Sequence, residues 1–173
     1  VTDGKSLYFV DSEGSSIRRA DTKASGGVKT LIGPADLPFG RLFEFGDIDG
    51  IGTKARLQHP IGIAYNNKAL YVADSYNHKI KRLDFTSAGW KVTTLLGTGK
   101  RGDKLDPIQF SEPEGLSVAG GKLFIADTNN HRICVADLTT KKVTELAIAG
   151  LKPPVPTETK PTEVANKKPA QKV

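Results

Sequence analysis

Two short tracts set an acid, an amide, an imidazole and a base at one spacing: Asp74, Asn77, His78 and Lys79, then Asp127, Asn130, His131 and Arg132. Groups of this kind could exchange protons with a substrate or ligate a metal. The companions that such chemistry needs are missing. There is no His-x-His or HExxH spacing, and the two histidines belong to separate copies of the tract. Asp47-x-Asp49-Gly50 opens like a calcium loop, but Ile51 stands where the next oxygen ligand belongs and Gln58 where the closing acid belongs. Gly97-Thr98-Gly99-Lys100 lacks phosphate-loop spacing, and no GxSxG elbow marks a nucleophile. Cys134, the single cysteine, follows Ile133 in a predicted strand and reads as a small buried hydrophobe. The residues name no catalytic group, no metal ligand and no cofactor site.

The tracts are better read as turns, because of what surrounds them. LYVADSYNHKI at Leu70–Ile80 returns as LFIADTNNHRI at Leu123–Ile133, and in weaker form as LYFVDSEGSSI at Leu7–Ile17. The three copies are marked by Asp11, Asp74 and Asp127, and the first interval is the longer. Each copy is a short apolar strand, a polar turn and another strand. Asp and Asn satisfy backbone groups in tight turns, so Asp74, Asn77, Asp127 and Asn130 are expected to be structural. Around the second copy, strands are predicted over 59–65, 70–73, 80–84 and 90–96, and around the third over 113–119, 123–126, 133–137 and 142–146. No stretch shows helical periodicity. Short strands between Gly/Asn/Asp turns, repeated as four-stranded units, predict an all-β protein of β-propeller type.

Pro60-x-Gly62-Ile63-Ala64 followed by Leu70-Tyr71-Val72-Ala73-Asp74-Ser75-x-Asn77-His78-Lys79-Ile80 resembles the NHL repeat. Pro113-x-Gly115-Leu116 followed by Ile125-Ala126-Asp127-Thr128-x-Asn130-His131-Arg132-Ile133 is similar to it too. The first unit departs, with Gly14-Ser15-Ser16 at the Asn-His-basic positions. Leu42–Gly52, running into Leu57-Gln58-His59-Pro60, resembles the inter-blade loop of the thioredoxin-like NHL-repeat proteins. The resemblance implies an NHL-type propeller over 1–150, with blades at about 1–33, 57–97 and 110–148, as part of a six-bladed ring. It also implies a larger parent with a thioredoxin-like domain upstream. Laying Asp11 over Asp74 puts Val1 opposite Ala64, so the first blade lacks nearly all of its first strand. Closed propellers need at least four blades. The chain is therefore expected to be part of a longer ring, or to complete one with a second copy.

Composition narrows the partners. Net charge is +6, but residues 151–173 hold five lysines against two glutamates and so carry half of it. That stretch also holds five of the ten prolines and no aromatic residue, and is expected to be a linker or disordered tail. The rest mixes its charges and lacks a concentrated basic patch. No apolar run approaches the roughly 20 residues of a membrane helix, so no membrane partner is expected. One cysteine leaves the compartment open.

In a four-stranded blade the second-to-third turns and the inter-blade loops share one face. That face is expected to carry Arg41, Phe43, Phe45, Tyr76, Asn77, His78, Lys79, Lys100, Arg101, Asn130, His131 and Arg132. Phe43 and Phe45 either contact a partner or cover the edge of the core. The expected role is a non-catalytic protein-interaction scaffold. The alternatives are RNA binding by the basic loops and, by resemblance to related propellers, a metal-dependent lyase.

Overall fold

The structure is a computed structural model and describes residues 1–23, 25–35 and 44–150. The tail from 151 onward lies outside the described residues. Three antiparallel sheets follow one another along the chain. The first contains β1 (Ser6–Asp11), β2 (Ser16–Asp21) and β3 (Val28–Ile32). The second contains β4 (Gly50–Ile51), β5 (Pro60–Asn66), β6 (Ala69–Asp74), β7 (Lys79–Thr86) and β8 (Gly89–Leu96), in the order β4-β8-β7-β6-β5. The third contains β9 (Pro113–Ala119), β10 (Lys122–Asp127), β11 (Arg132–Asp137) and β12 (Val143–Glu145), in the order β12-β11-β10-β9. The fold is an all-β propeller, and its only described helical turns are three 3-10 turns of three residues each.

Turn chemistry sets the register. Asn67 and Lys68 have φ of 47° and 65°, and Gly120 and Gly121 have φ of 55° and 73°. Two consecutive positive φ values make the tight hairpin that suits twisted antiparallel strands. The first unit keeps the same register with almost no first strand. Val1 and Tyr8 exchange backbone hydrogen bonds, and Thr2 bridges Leu7. With Asp11 laid over Asp74, these are the Ala64–Tyr71 and Tyr65–Leu70 pairs of the second sheet.

Two elements differ from the sequence reading. The second sheet has a fifth strand, because Gly50 and Ile51 pair with Val92 and Lys91 along the edge of β8. That edge would otherwise present unpaired backbone groups. His59 lies outside β5, in the left-handed region with φ 50°, and so sets the turn into the sheet.

The core lies between the sheets. β6 is buried at all six positions, since alternate side chains enter two different interfaces. Leu70 and Val72 join Leu83 and Val92 against Tyr8, Ile17, Leu31 and Ile32 of the first sheet. Tyr71 and Ala73 join Ile80 and Leu96 against Leu123, Ile125, Cys134 and Ala136 of the third, with Phe110 between them. Burial on both faces is why this strand reads as an unbroken apolar run. Each fully buried side chain contributes about 2 kcal/mol.

Candidate functional site

The turn after β6 is built around Asp74, which is fully buried. Its Oδ1 accepts the Gln58 backbone N–H at 2.7 Å, and its Oδ2 accepts the Asn77 side-chain amide at 2.8 Å. Asn77 uses the same nitrogen to reach the Gly46 carbonyl at 2.7 Å. The third sheet repeats each contact. Asp127 accepts from the Ser111 N–H at 2.7 Å and from Asn130 at 2.8 Å, and Asn130 donates to the Gly102 carbonyl at 2.8 Å. Asp and Asn thus form a clasp that fastens the incoming inter-blade loop to its own blade. His78 and His131 follow, both in the left-handed region at φ 53°. That conformation lets the chain reverse into the next strand.

Each blade also brings one basic side chain to its aspartate. In the first, Arg18 Nε meets Asp11 at 2.7 Å and its Nη1 donates to Thr30. Lys81 occupies the same repeat position in the second and is wholly buried. Its Nζ lies 2.7 Å from Asp47, 2.9 Å from Asp49, 2.9 Å from Thr94 Oγ1 and 4.0 Å from Asp74. In the third, Cys134 stands at that position and Arg132, two residues earlier, pairs with Asp127 at 2.7 Å.

Sequence reasoning missed Lys81. It considered Asp47 and Asp49 for calcium, yet the positive charge among them is an ammonium from β7. The available signal was the basic residue shared by positions 18 and 81.

Titration follows from this packing. Burial pushes the Asp74 carboxyl up to about 6, against the hydrogen bonds from Asn77 and Gln58 and the charge of Lys81. Burial works the same way on Asp47 and Asp49, but hydrogen bonds from Lys79 and Lys81 to Asp47, and from Lys81 and Thr94 to Asp49, hold both below the usual carboxylate range. Burial would lower Lys81, yet Asp47 and Asp49 raise it. Burial lowers His78, whose Nδ1 accepts the Glu112 backbone N–H at 3.2 Å. Burial also raises the Cys134 thiol to about 11, which leaves it a poor nucleophile.

The expected loop face is therefore sorted by its bonds. Asn77 is buried and Asn130 half-buried, both committed to the clasps. Lys79 pairs with Asp47. Arg132 is nearly buried and also donates to the Asp103 and Gln109 carbonyls. His78 is held by Glu112. Tyr76 is 49% exposed and stacks on His59 at 4.5 Å between ring centroids. Phe45 is 59% exposed and precedes Gly46, the residue that Asn77 holds. Lys100, Arg101 and His131 are exposed, with Arg101 Nε on Ser111 Oγ at 3.0 Å. Arg41 and Phe43 lie outside the described residues. Among the described residues, no group of three or more His, Cys, Asp or Glu is placed to hold a metal ion.

A family model described as "NHL repeat" matches residues 57–83 and 110–136, the two stretches that carry the clasps. The chain is 44% identical over 162 residues to "Protein SUPPRESSOR OF QUENCHING 1, chloroplastic" of Arabidopsis thaliana, covering 89% of this chain and 15% of that protein. It is 46% identical over 150 residues to "NHL repeat-containing protein 2" of Homo sapiens, covering 82% of this chain and 20% of that protein. The chain thus spans a fifth or less of the length of these relatives. Among solved structures, a structural genomics protein of unknown function from Bacteroides thetaiotaomicron matches with TM-score 0.61 at 19% identity, over 74% of this chain and 31% of that one. An auxiliary nutrient binding protein from the same organism matches with TM-score 0.53 at 22% identity, over 81% of this chain and 34% of that one. Those two likenesses are of fold. With its clasps, register and matched repeats taken together, the chain belongs to the NHL-repeat β-propellers.

Proposed function

We propose that the chain is a non-catalytic stretch of propeller within a larger multidomain protein, and that its loop face binds a protein partner. The observation that carries this is the pairing of exposed aromatics with rigid support. Tyr76 and Phe45 flank the partly buried Asn77–Gly46 hydrogen bond, so both are displayed from a fixed turn. Aromatic groups on a rigid scaffold supply binding area at little conformational cost. Neighbouring Lys79 and Arg132 are neutralised by acids, which favours a protein partner over a polyanion. The relatives' greater length supports a larger parent, and by resemblance that parent carries a thioredoxin-like domain.

A photo-crosslinking side chain tests the reading when placed at Tyr76 and, in a second variant, at Phe85 on the opposite end of the blade. Protein adducts from position 76 and none from position 85 are expected. Adducts to RNA alone, with affinity that falls steeply as salt rises, would replace the reading with nucleic-acid binding.

A further inference from the structure

At the hairpin ends of β6 and β10 the second and third sheets leave a cavity of about 240 Å³ between them. The clasps stand at the other ends of these strands. The cavity exists because the two interfaces are filled differently. Tyr8 and Tyr71 occupy one repeat position, Tyr8 at the first interface and Tyr71 at the second. At the first, Tyr65 stacks on Tyr8 at 6.2 Å and Trp90 meets its edge at 5.8 Å. At the second, Val118 stands in the place of Tyr65, since Tyr65 pairs with Leu70 and Val118 with Leu123. Val143 pairs with Ala136 as Val92 does with Leu83, but the hairpin between them turns back too early to carry a counterpart of Trp90. Two aromatic rings are therefore missing beside Tyr71.

The polar groups around this space are unused. At the first interface the Tyr8 hydroxyl donates to Asp3 at 3.0 Å. Asn66 holds the repeat position of Asp3, yet the Tyr71 hydroxyl makes no hydrogen bond among the described residues, although Tyr71 is only 3% exposed. Asn66, Asn67 and Thr139 also line the cavity, and their side-chain amides and hydroxyl are likewise unbonded among the described residues. Arg82 supplies a charge. Its guanidinium carbon lies 6.0 Å from the centre of the Tyr71 ring. Asp84 holds its Nε and Nη2, each at 2.9 Å, which leaves Nη1 without a bond. Among the described residues no acid lines the cavity, and exposed Lys68 and Lys122 follow the lining residues Asn67 and Gly121 at its mouth.

We infer that this cavity binds a small hydroxy acid. Its carboxylate pairs with Arg82 Nη1, and its hydroxyls take up the groups of Tyr71, Asn66, Asn67 and Thr139. Unbonded polar groups beside one cation suit an anion carrying several hydroxyls, because an apolar occupant would leave every one of them unsatisfied. The volume lies below the roughly 300–1,000 Å³ of ordinary ligand pockets, which fits a molecule of monosaccharide size. This site is remote from the loop face and stands independently of the protein partner proposed there.

The probe is glucuronate, with glucose as its neutral match, each titrated into the 173-residue chain by isothermal calorimetry at low salt. Saturable glucuronate binding is expected, with glucose about tenfold weaker for want of the charge-assisted bond. Tyr71→Phe deletes only the unbonded hydroxyl, and phenylalanine already stands at this repeat position as Phe124. It should weaken glucuronate about fivefold, the worth of one net hydrogen bond. Arg82→Gln should weaken it about tenfold. Circular dichroism checks that both variants keep the fold. No saturable binding, glucose bound as tightly as glucuronate, or glucuronate binding that either substitution leaves unchanged overturns the inference.

Discussion

At the scale of single residues, the Asp–Asn–His tract looks like chemistry and behaves as construction. Asp74 and Asp127 spend their oxygens on backbone N–H groups of the incoming loop and on their own asparagines. Lys81 is the test of how much the associated charge contributes. Asp47 and Asp49 are each a third or more open to solvent and Asp47 keeps Lys79, so Lys81→Met should lower unfolding free energy by about 1 kcal/mol in urea. Unchanged stability would show that the ammonium is incidental.

The same cluster predicts a pH dependence. Asp74 is raised, so between its ordinary value of 3.8 and about 6 the folded state keeps a proton that the unfolded chain has released. Its contribution therefore falls as pH rises through that window. Asp47 and Asp49 are lowered. Their contribution is fully present above the ordinary carboxylate value and is lost as pH falls through their lowered values. Asp74→Asn should remove the decline in unfolding free energy across the window between the ordinary and the raised value. A decline that persists in the variant would place its source elsewhere.

At the scale of elements, close approach between blades explains why one repeat needs its glycine and the other does not. Gly62 permits β9 to lie against β5, whereas a Cβ on its counterpart Gly115 would meet only Ala126 Cβ at 3.4 Å, an ordinary contact. Gly62→Ala should cost about 1–3 kcal/mol through overpacking, and Gly115→Ala should be near neutral. Equal effects in urea denaturation would mean that neither glycine is required by strand approach. Hairpins, strand order and clasp residues were legible in the sequence because they depend on neighbours within one repeat and recur with it. Lys81 was not, since its partners Asp47 and Asp49 sit far upstream, in a connection that the repeat does not copy. β4 escaped for a related reason. Two residues carry no alternation pattern, and only the unpaired edge of β8 gives them a partner.

On the loop face, recurrence marked the turn but could not reveal which polar groups were already committed. Lys79 and Arg132 are basic in the sequence and neutralised in the fold. The exposed groups that remain, Phe45 and Tyr76 above all, are set out by the turns beneath them.

At the scale of the whole molecule, the two outer sheets each present apolar residues at repeat positions that are buried in the interior. Leu7, at the repeat position of fully buried Leu70, is 46% exposed on the first blade, and Phe124, Ile133 and Leu146 are only partly covered or exposed on the last. Apolar faces of this kind are association surfaces. Size-exclusion chromatography with light scattering, run on the 173-residue chain over a range of concentrations, tests this most directly. The predicted result is association that grows with concentration, as the end faces find cover. A stable, well-folded monomer of 18.6 kDa at every concentration would contradict it.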